Sequence, residues 1–149
     1  MITTSMEKKE MRSEQSVFVD TVGWIALIHR RDDLHEEVVQ VYGNLGKILR
    51  VTTDAVLIES CNSFSKKMIR PLALALMDKV KKAEQLGVLE VVHVSEELIE
   101  RGWELFRSRN DKEWSLTDCI SFIVMKDRGI SRAITSYHHF EQVGFEKLM

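Results

Sequence analysis

The sequence predicts an α/β domain in which a central parallel sheet is covered by helices on both faces. Three observations predict it. Short runs that read as strands stand at residues 16–20, 50–53, 89–94 and 132–136, and segments with helical spacing of apolar residues separate each run from the next. The first run, S-V-F-V-D, is continuously apolar until its final acid, the pattern of a strand buried on both faces. Strands that alternate with helices are joined by right-handed crossovers, and such sheets bind ligands beyond the carboxyl ends of their strands.

Taken in order, residues 1–15 are polar and charged without periodicity and read as a flexible tail, and the domain is expected to span 16–149. The first strand leads into a short, unusually apolar helix, V-G-W-I-A-L-I-H, in which Trp24, Ile25, Leu27 and Ile28 would serve the core or seat a partner helix. Asp33 and Glu36 have the spacing of a capping box ahead of a second helix with Val38, Val39, Val41, Tyr42 and Leu45 on its apolar side. A brief strand follows. Asp54 then reads as the cap of a third helix with an apolar stripe of Leu57, Cys61, Phe64 and Met68.

The single proline, Pro71, suits the first turn of a fourth helix carrying Leu72, Leu76, Val80 and Ala83, with Gly87 just past its end. After the strand at 89–94, Ser95 caps a fifth helix through Leu98, Gly102 and Leu105, and residues 115–126 form a sixth. The run at 132–136 is expected to close the series. Trp103 and Trp114 read as packing residues, and Cys61 and Cys119, each inside an apolar helical pattern, as buried reduced thiols.

Composition bounds the function. A chain of 149 residues, 44% hydrophobic and 30% charged, can bury about two-thirds of its unfolded surface as one domain without a structural metal or disulfides. A net charge of −2 argues against binding nucleic acid through a large basic face, while leaving room for a local basic strip. No apolar run approaches the ~20 residues that span a bilayer, and the N-terminus lacks a signal-peptide core, so the sequence reads as cytoplasmic with no membrane association.

Three acids stand where chemistry could be built: Asp20 at the end of the first strand, Glu59 inside the third helix and Asp118 at the start of the sixth. All three point to one edge of the sheet if the first strand is central. Glu59 shares a polar helix side with Asn62, Ser63 and Lys66, away from the apolar stripe. Clustered carboxylates remain ionised at neutral pH when a cation compensates them, and oxygen ligands without His or Cys spacing favour magnesium or manganese over zinc. Each acid has a plainer reading as well: Asp118 fits a capping box with Ser115, Asp20 a strand-ending turn, and Glu59 a solvated helix surface.

The runs V-F-V-D20-T21, A-V-L-I-E59-S-C-N62, W114-S-L-T-D118-C and R-A-I-T135-S-Y-H-H-F140, in that order, resemble the motifs of PIN domains, particularly VapC-like toxins of toxin–antitoxin pairs. The resemblance implies a PIN-like three-layer fold. It also implies an endoribonuclease in which Asp20, Glu59 and Asp118 bind one or two Mg2+ or Mn2+ ions, with Thr21 and Thr135 in support. It further implies an RNA substrate, an antitoxin protein as partner and, commonly in such toxins, a homodimer. The chain departs from the pattern at one point: the acid expected two residues after Thr135 is Tyr137, a phenol that cannot supply a carboxylate's charge.

Further candidates are weaker. Asp111 is near enough in sequence to Asp118 to swing toward the site, although a surface loop is the plainer reading. His138 and His139 could bind metal or RNA, although adjacent histidines in an extended segment point to opposite sides, and one exposed and one packed is the plainer reading. Lys66, Lys67, Arg70, Arg128 and Arg132 could form an RNA-tracking rim if they surround the acids. Two rival functions are a PIN domain that has lost cleavage and keeps RNA or protein binding, and a receiver-like phosphoacceptor. The second lacks the acidic pair and the late strand-end lysine expected of it.

Overall fold

The computed structural model describes residues 16–149 together with Thr4. The tail expected at residues 1–15 otherwise lies outside the described residues.

Five strands form one parallel sheet in the order β3-β2-β1-β4-β5, with β1 (Ser16–Val19), β2 (Leu49–Thr53), β3 (Leu89–Val92), β4 (Arg132–Ile134) and β5 (Glu146–Lys147). Seven helices lie among the described residues: α1 (Thr21–Ile28), α2 (His35–Gly43), α3 (Asp54–Asn62), α4 (Arg70–Gln85), α5 (Glu96–Ser108), α6 (Leu116–Arg128) and α7 (His139–Val143). β1 is central, as the expected convergence of acids requires. Its partners align Phe18 with Val51 on one side and with Ala133 on the other, and every β1 residue is buried.

The strand order assigns the layers. The chain steps from β1 outward to β3 and then returns across the sheet to β4 and β5. Right-handed crossovers therefore put α1–α4 on one face and α5–α7 on the other, in keeping with the packing of α1 on α3 and α4 and of α5 on α6. Phe18, Trp24, Val56 and Leu76 belong to the buried core, as do Phe122 and Phe140. In the other layer α6 buries every residue from Asp118 to Met125. Gly23 lets α1 approach the sheet, because a β-carbon there would lie 2.7 Å from the carbonyl oxygen of Ile134.

Several local expectations are corrected. The second helix begins at His35, and Asp32 rather than Asp33 holds its approach by accepting the Leu34 N–H at 2.9 Å. Thr53, not Asp54, caps α3 through the Val56 N–H at 3.1 Å; Asp54 instead accepts the Val94 N–H and ties α3 to the end of β3. α3 stops at Asn62, so Phe64 re-enters the core from a turn and Met68, 93% exposed, faces solvent. The run at 132–136 is a strand only to Ile134 and does not close the fold, since α7 and β5 follow. Trp114 is buried, but Trp103 is half exposed and stacks on Phe106 beside Ile99, outside the core. Cys119 is buried, Cys61 is half-buried, and both are free thiols.

The caps at Ser95 and Ser115 form as expected, each hydroxyl accepting the N–H three residues on. No helix is long and apolar enough to cross a membrane among the described residues.

Candidate active site

Asp20 and Thr135 meet where the sheet changes direction. From β1 the chain moves toward β2, while β4 lies on the other side, and the crevice at such a switch point lies beyond the strand ends. The Asp20 N–H donates to Ile134 O at 3.2 Å, and the Thr135 hydroxyl donates to Asp20 Oδ2 at 2.9 Å. Both residues are buried.

Burial raises the Asp20 pKa from 3.8 to about 7. The Thr21 backbone N–H opposes the rise, the Asp118 charge adds to it, the Thr135 hydroxyl opposes it and the Glu59 charge adds to it. Asp20 is thus a buried carboxyl that feels two other carboxylates. Thr21 Oγ1, next in the chain, is buried with no hydrogen-bond partner.

Asp118 fills both of the roles the sequence left open. It completes a capping box with Ser115, its Oδ2 accepting the Ser115 N–H at 3.1 Å, and it raises the pKa of Asp20 by proximity. The same Oδ2 lies 3.1 Å from His139 Nδ1. One oxygen of Asp118 is therefore engaged twice, and Oδ1 is the one left for another ligand. Glu59 reaches the same field from the exposed side of α3. Tyr137 does so from the loop after β4: burial raises its pKa, and the charges of Asp20, Glu59 and Asp118 raise it further.

Thr135 works in both directions, since it also accepts the Tyr137 N–H at 3.1 Å. His138 is exposed and His139 partly packed, as expected, but they stand at the start of α7 rather than in an extended segment, and their rings touch, 4.6 Å apart.

Other candidates fall elsewhere. Asp111 is held by Arg109 at 2.9 and 3.0 Å, which lowers its pKa to about 2, and the Arg109 guanidinium lies over the Trp114 ring. It turns to that pair instead of to Asp118. Asn62 lines a groove between α3 and α4 with Leu57, Ile58, Cys61 and Met77.

Arg128 and Arg132 do not border the acids. Arg132 opens β4 and so lies at the amino edge of the sheet. Arg128 ends α6 and pairs with Glu90 beside Ser16 and Leu49, at that same edge. A helix that crosses back delivers its last residue to the edge opposite its first.

Lys66 and Lys67 are exposed in the segment between α3 and α4, and Arg70 is exposed at the start of α4. Near them, Arg30 and Arg31 line a groove with Ile28, His29, Met68 and Ile69, and the His29 ring meets Phe64 edge-on. Sequence reasoning missed this arginine pair. The R-R dipeptide after the first helix was visible, but nothing local linked it to residues 66–70. The His139–Asp118 contact was missed for the same reason.

These oxygen donors gather around Asp20 without closing into a cage: among the described residues, no three His, Cys, Asp or Glu side chains stand at metal-chelating spacing. Hydrated magnesium does not need one, because it keeps several waters and binds through one or two carboxylates.

A parallel sheet in the order β3-β2-β1-β4-β5, with the charges of Asp118 and Glu59 acting on Asp20 at its switch point, defines an α/β domain with acids at its carboxyl edge. The PIN domain family matches residues 17–146, and the chain belongs to that family. It is 29% identical over 130 residues to the 23S rRNA-specific endonuclease VapC20 of two Mycobacterium tuberculosis strains, an alignment covering 87% of this chain and 95% of the relative. The crystal structure of M. tuberculosis VapC20, described as a sarcin–ricin loop cleaving toxin, superposes with a TM-score of 0.76 at 28% identity over the same shares of the two chains.

Proposed function

We propose that this protein is a divalent-metal-dependent endoribonuclease, the toxin of a toxin–antitoxin pair, acting in the cytoplasm. The observation that carries the reading is the buried Asp20 carboxyl with Asp118 and Glu59 in its field at the switch point. An uncompensated carboxylate in that position is costly, and a cation is its natural counter-charge.

The donor set fits magnesium or manganese. It is all oxygen, it includes a buried hydroxyl with no partner at Thr21, and it leaves Oδ1 of Asp118 available. Asp20, Asp118 and Glu59 would hold the ion. When bound, such an ion would supply charge against the phosphate oxygens and would lower the pKa of a water so that, on losing its proton, it becomes the hydroxide that attacks the phosphodiester.

The chain's own residues do the rest. Thr135 orients Asp20, while the Ser115 N–H and His139 orient Asp118, so the acids face the cleft in fixed directions. Lys66, Lys67 and Arg70, joined by Arg30 and Arg31, supply cationic contacts for the RNA backbone on the α1–α4 side. Tyr137 adds no charge, which matches this set of acids to one ion rather than two. Structured ribosomal RNA is the first substrate to test, given what the M. tuberculosis relative cleaves. The toxin reading also names an antitoxin protein as partner, with a homodimer as a second association; co-purification with the product of an adjacent reading frame and light scattering test the two.

Tyr137 favours one alternative, a PIN domain that binds RNA without cutting it. Cleavage of structured RNA with manganese, magnesium or chelator decides, run beside Asp20→Asn and Tyr137→Asp. Cleavage by the parent but not by Asp20→Asn or in chelator supports the nuclease. Inactivity of the parent with activity gained in Tyr137→Asp establishes the alternative.

A further inference from the structure

The rings of Tyr137 and His138 both adjoin that of His139, with ring centres 5.9 and 4.6 Å from it. Two of the three residues are tied to the acids. The Tyr137 N–H donates to Thr135, whose hydroxyl donates to Asp20. His139 Nδ1, on the middle ring, contacts Asp118 Oδ2 at 3.1 Å.

The next aromatic residue, Phe140, is fully buried against Phe18 and Phe122. Tyr137, by contrast, is 45% exposed and His138 is exposed. The loop thus spends one ring on the core and leaves two at the mouth of the acidic site.

Those rings answer a difficulty that the site creates. Carboxylates repel a polyanion, and a bound cation offsets that repulsion only at the phosphate it touches. Beside that phosphate, an interaction that needs no positive charge adds affinity without working against the acids. Stacking of a nucleobase on an aromatic ring is of that kind, and only a base released from a duplex has a free face to stack.

We propose that Tyr137 and His138 form a stacking platform for an unpaired nucleobase flanking the phosphate bound at Asp20 and Asp118. The proposal rests on the ribonuclease reading for the phosphate and on the ring geometry for the base. It makes the position where the family pattern has an acid a selector for single-stranded or extruded nucleotides.

The test is equilibrium binding of a short fluorescein-labelled single-stranded RNA to the full chain, with calcium in place of magnesium. The RNA is also made with each nucleotide in turn abasic. Tyr137→Ala is expected to weaken binding roughly ten-fold or more, and Tyr137→Phe, which keeps the ring, to bind as the parent does. One abasic position should weaken the parent by a similar factor and leave Tyr137→Ala indifferent.

Parent-like affinity in Tyr137→Ala, or an abasic penalty of equal size in parent and variant, overturns the platform. If Tyr137→Ala fails a circular dichroism check of its fold, His138→Ala in the same abasic series decides in its place. A parent that cleaves RNA without this coupling keeps the nuclease reading and loses the platform. A parent that shows the coupling but never cleaves does the reverse, and a parent that binds no RNA loses both.

Discussion

The Thr135 hydroxyl donates to Asp20 Oδ2 at 2.9 Å, joining the ends of two neighbouring parallel strands through side chains that are both buried. This bond fixes the direction of the Asp20 carboxyl from the end of β4, and it is also the first link of the chain that carries Tyr137.

Thr135→Val keeps the shape and removes the donor. Divalent-ion affinity, measured by manganese titration, is expected to fall roughly 10- to 100-fold, as when a group orienting a metal ligand is lost. Chemical denaturation should show a loss of about 1–3 kcal/mol, because Asp20 and the Tyr137 N–H both lose a partner. Thr135→Ser, which retains the hydroxyl, should behave like the parent; an equal defect in both variants would mean the hydrogen bond is not the cause.

Without divalent ions, stability is expected to depend on pH through Asp20. Its pKa is about 7 in the folded chain against 3.8 ordinarily, so between those values the folded state holds the proton more tightly than the unfolded state does. The contribution of this group is fully present below pH 4 and is lost as pH rises toward 7. Urea melts across that window should therefore show a decline that Asp20→Asn flattens and manganese removes. A profile identical in parent and Asp20→Asn would contradict the buried charge.

Ser115→Ala removes the hydroxyl that caps α6 and accepts the Asp118 N–H at 3.0 Å. A loss of about 1 kcal/mol is expected in denaturant melts. Because the cap also sets the direction of Asp118, the rate of RNA cleavage should fall further than the stability change accounts for at assay temperature. A purely structural cap would leave the cleavage rate of the folded fraction unchanged.

Asp111→Asn should leave cleavage at the parent level, since Asp111 is committed to Arg109. A loss of activity comparable to that of Asp118→Asn would return Asp111 to the site.

Charge reversal separates the two sets of basic residues. Lys66→Glu with Lys67→Glu should weaken RNA binding and reduce the slope of affinity against salt by about one unit or more per lost phosphate contact. Arg128→Ala, which breaks a pair with Glu90 at the opposite edge, should leave that slope alone. The reverse pattern would move the RNA path to the amino edge of the sheet.

Much of the fold was legible because its signals are local. Short strand-like runs locate four of the five strands, and Ser95 and Ser115 announce their helices by a spacing of three residues. The two-residue β5 and five-residue α7 were not legible, since segments so short carry no periodicity. The cap of α3 was misread for a related reason: Thr53 and Asp54 are both good caps by type, and Asp54 was drawn off by the Val94 N–H, 40 residues away.

By itself the sequence determined the order of the first four strands and six helices, the parallel sheet and the three acids near strand and helix ends, all of which follow from residue type and from periods of two and 3.6. Only the tertiary structure decided which charged groups share a site. It gathered Asp20, Asp118, Glu59 and Tyr137, turned Asp111 to Arg109, and left Arg128 and Arg132 at the far edge. The physical reason is that distances between elements are set by crossover direction and strand register. These follow from how whole faces pack, and no window along the chain contains them.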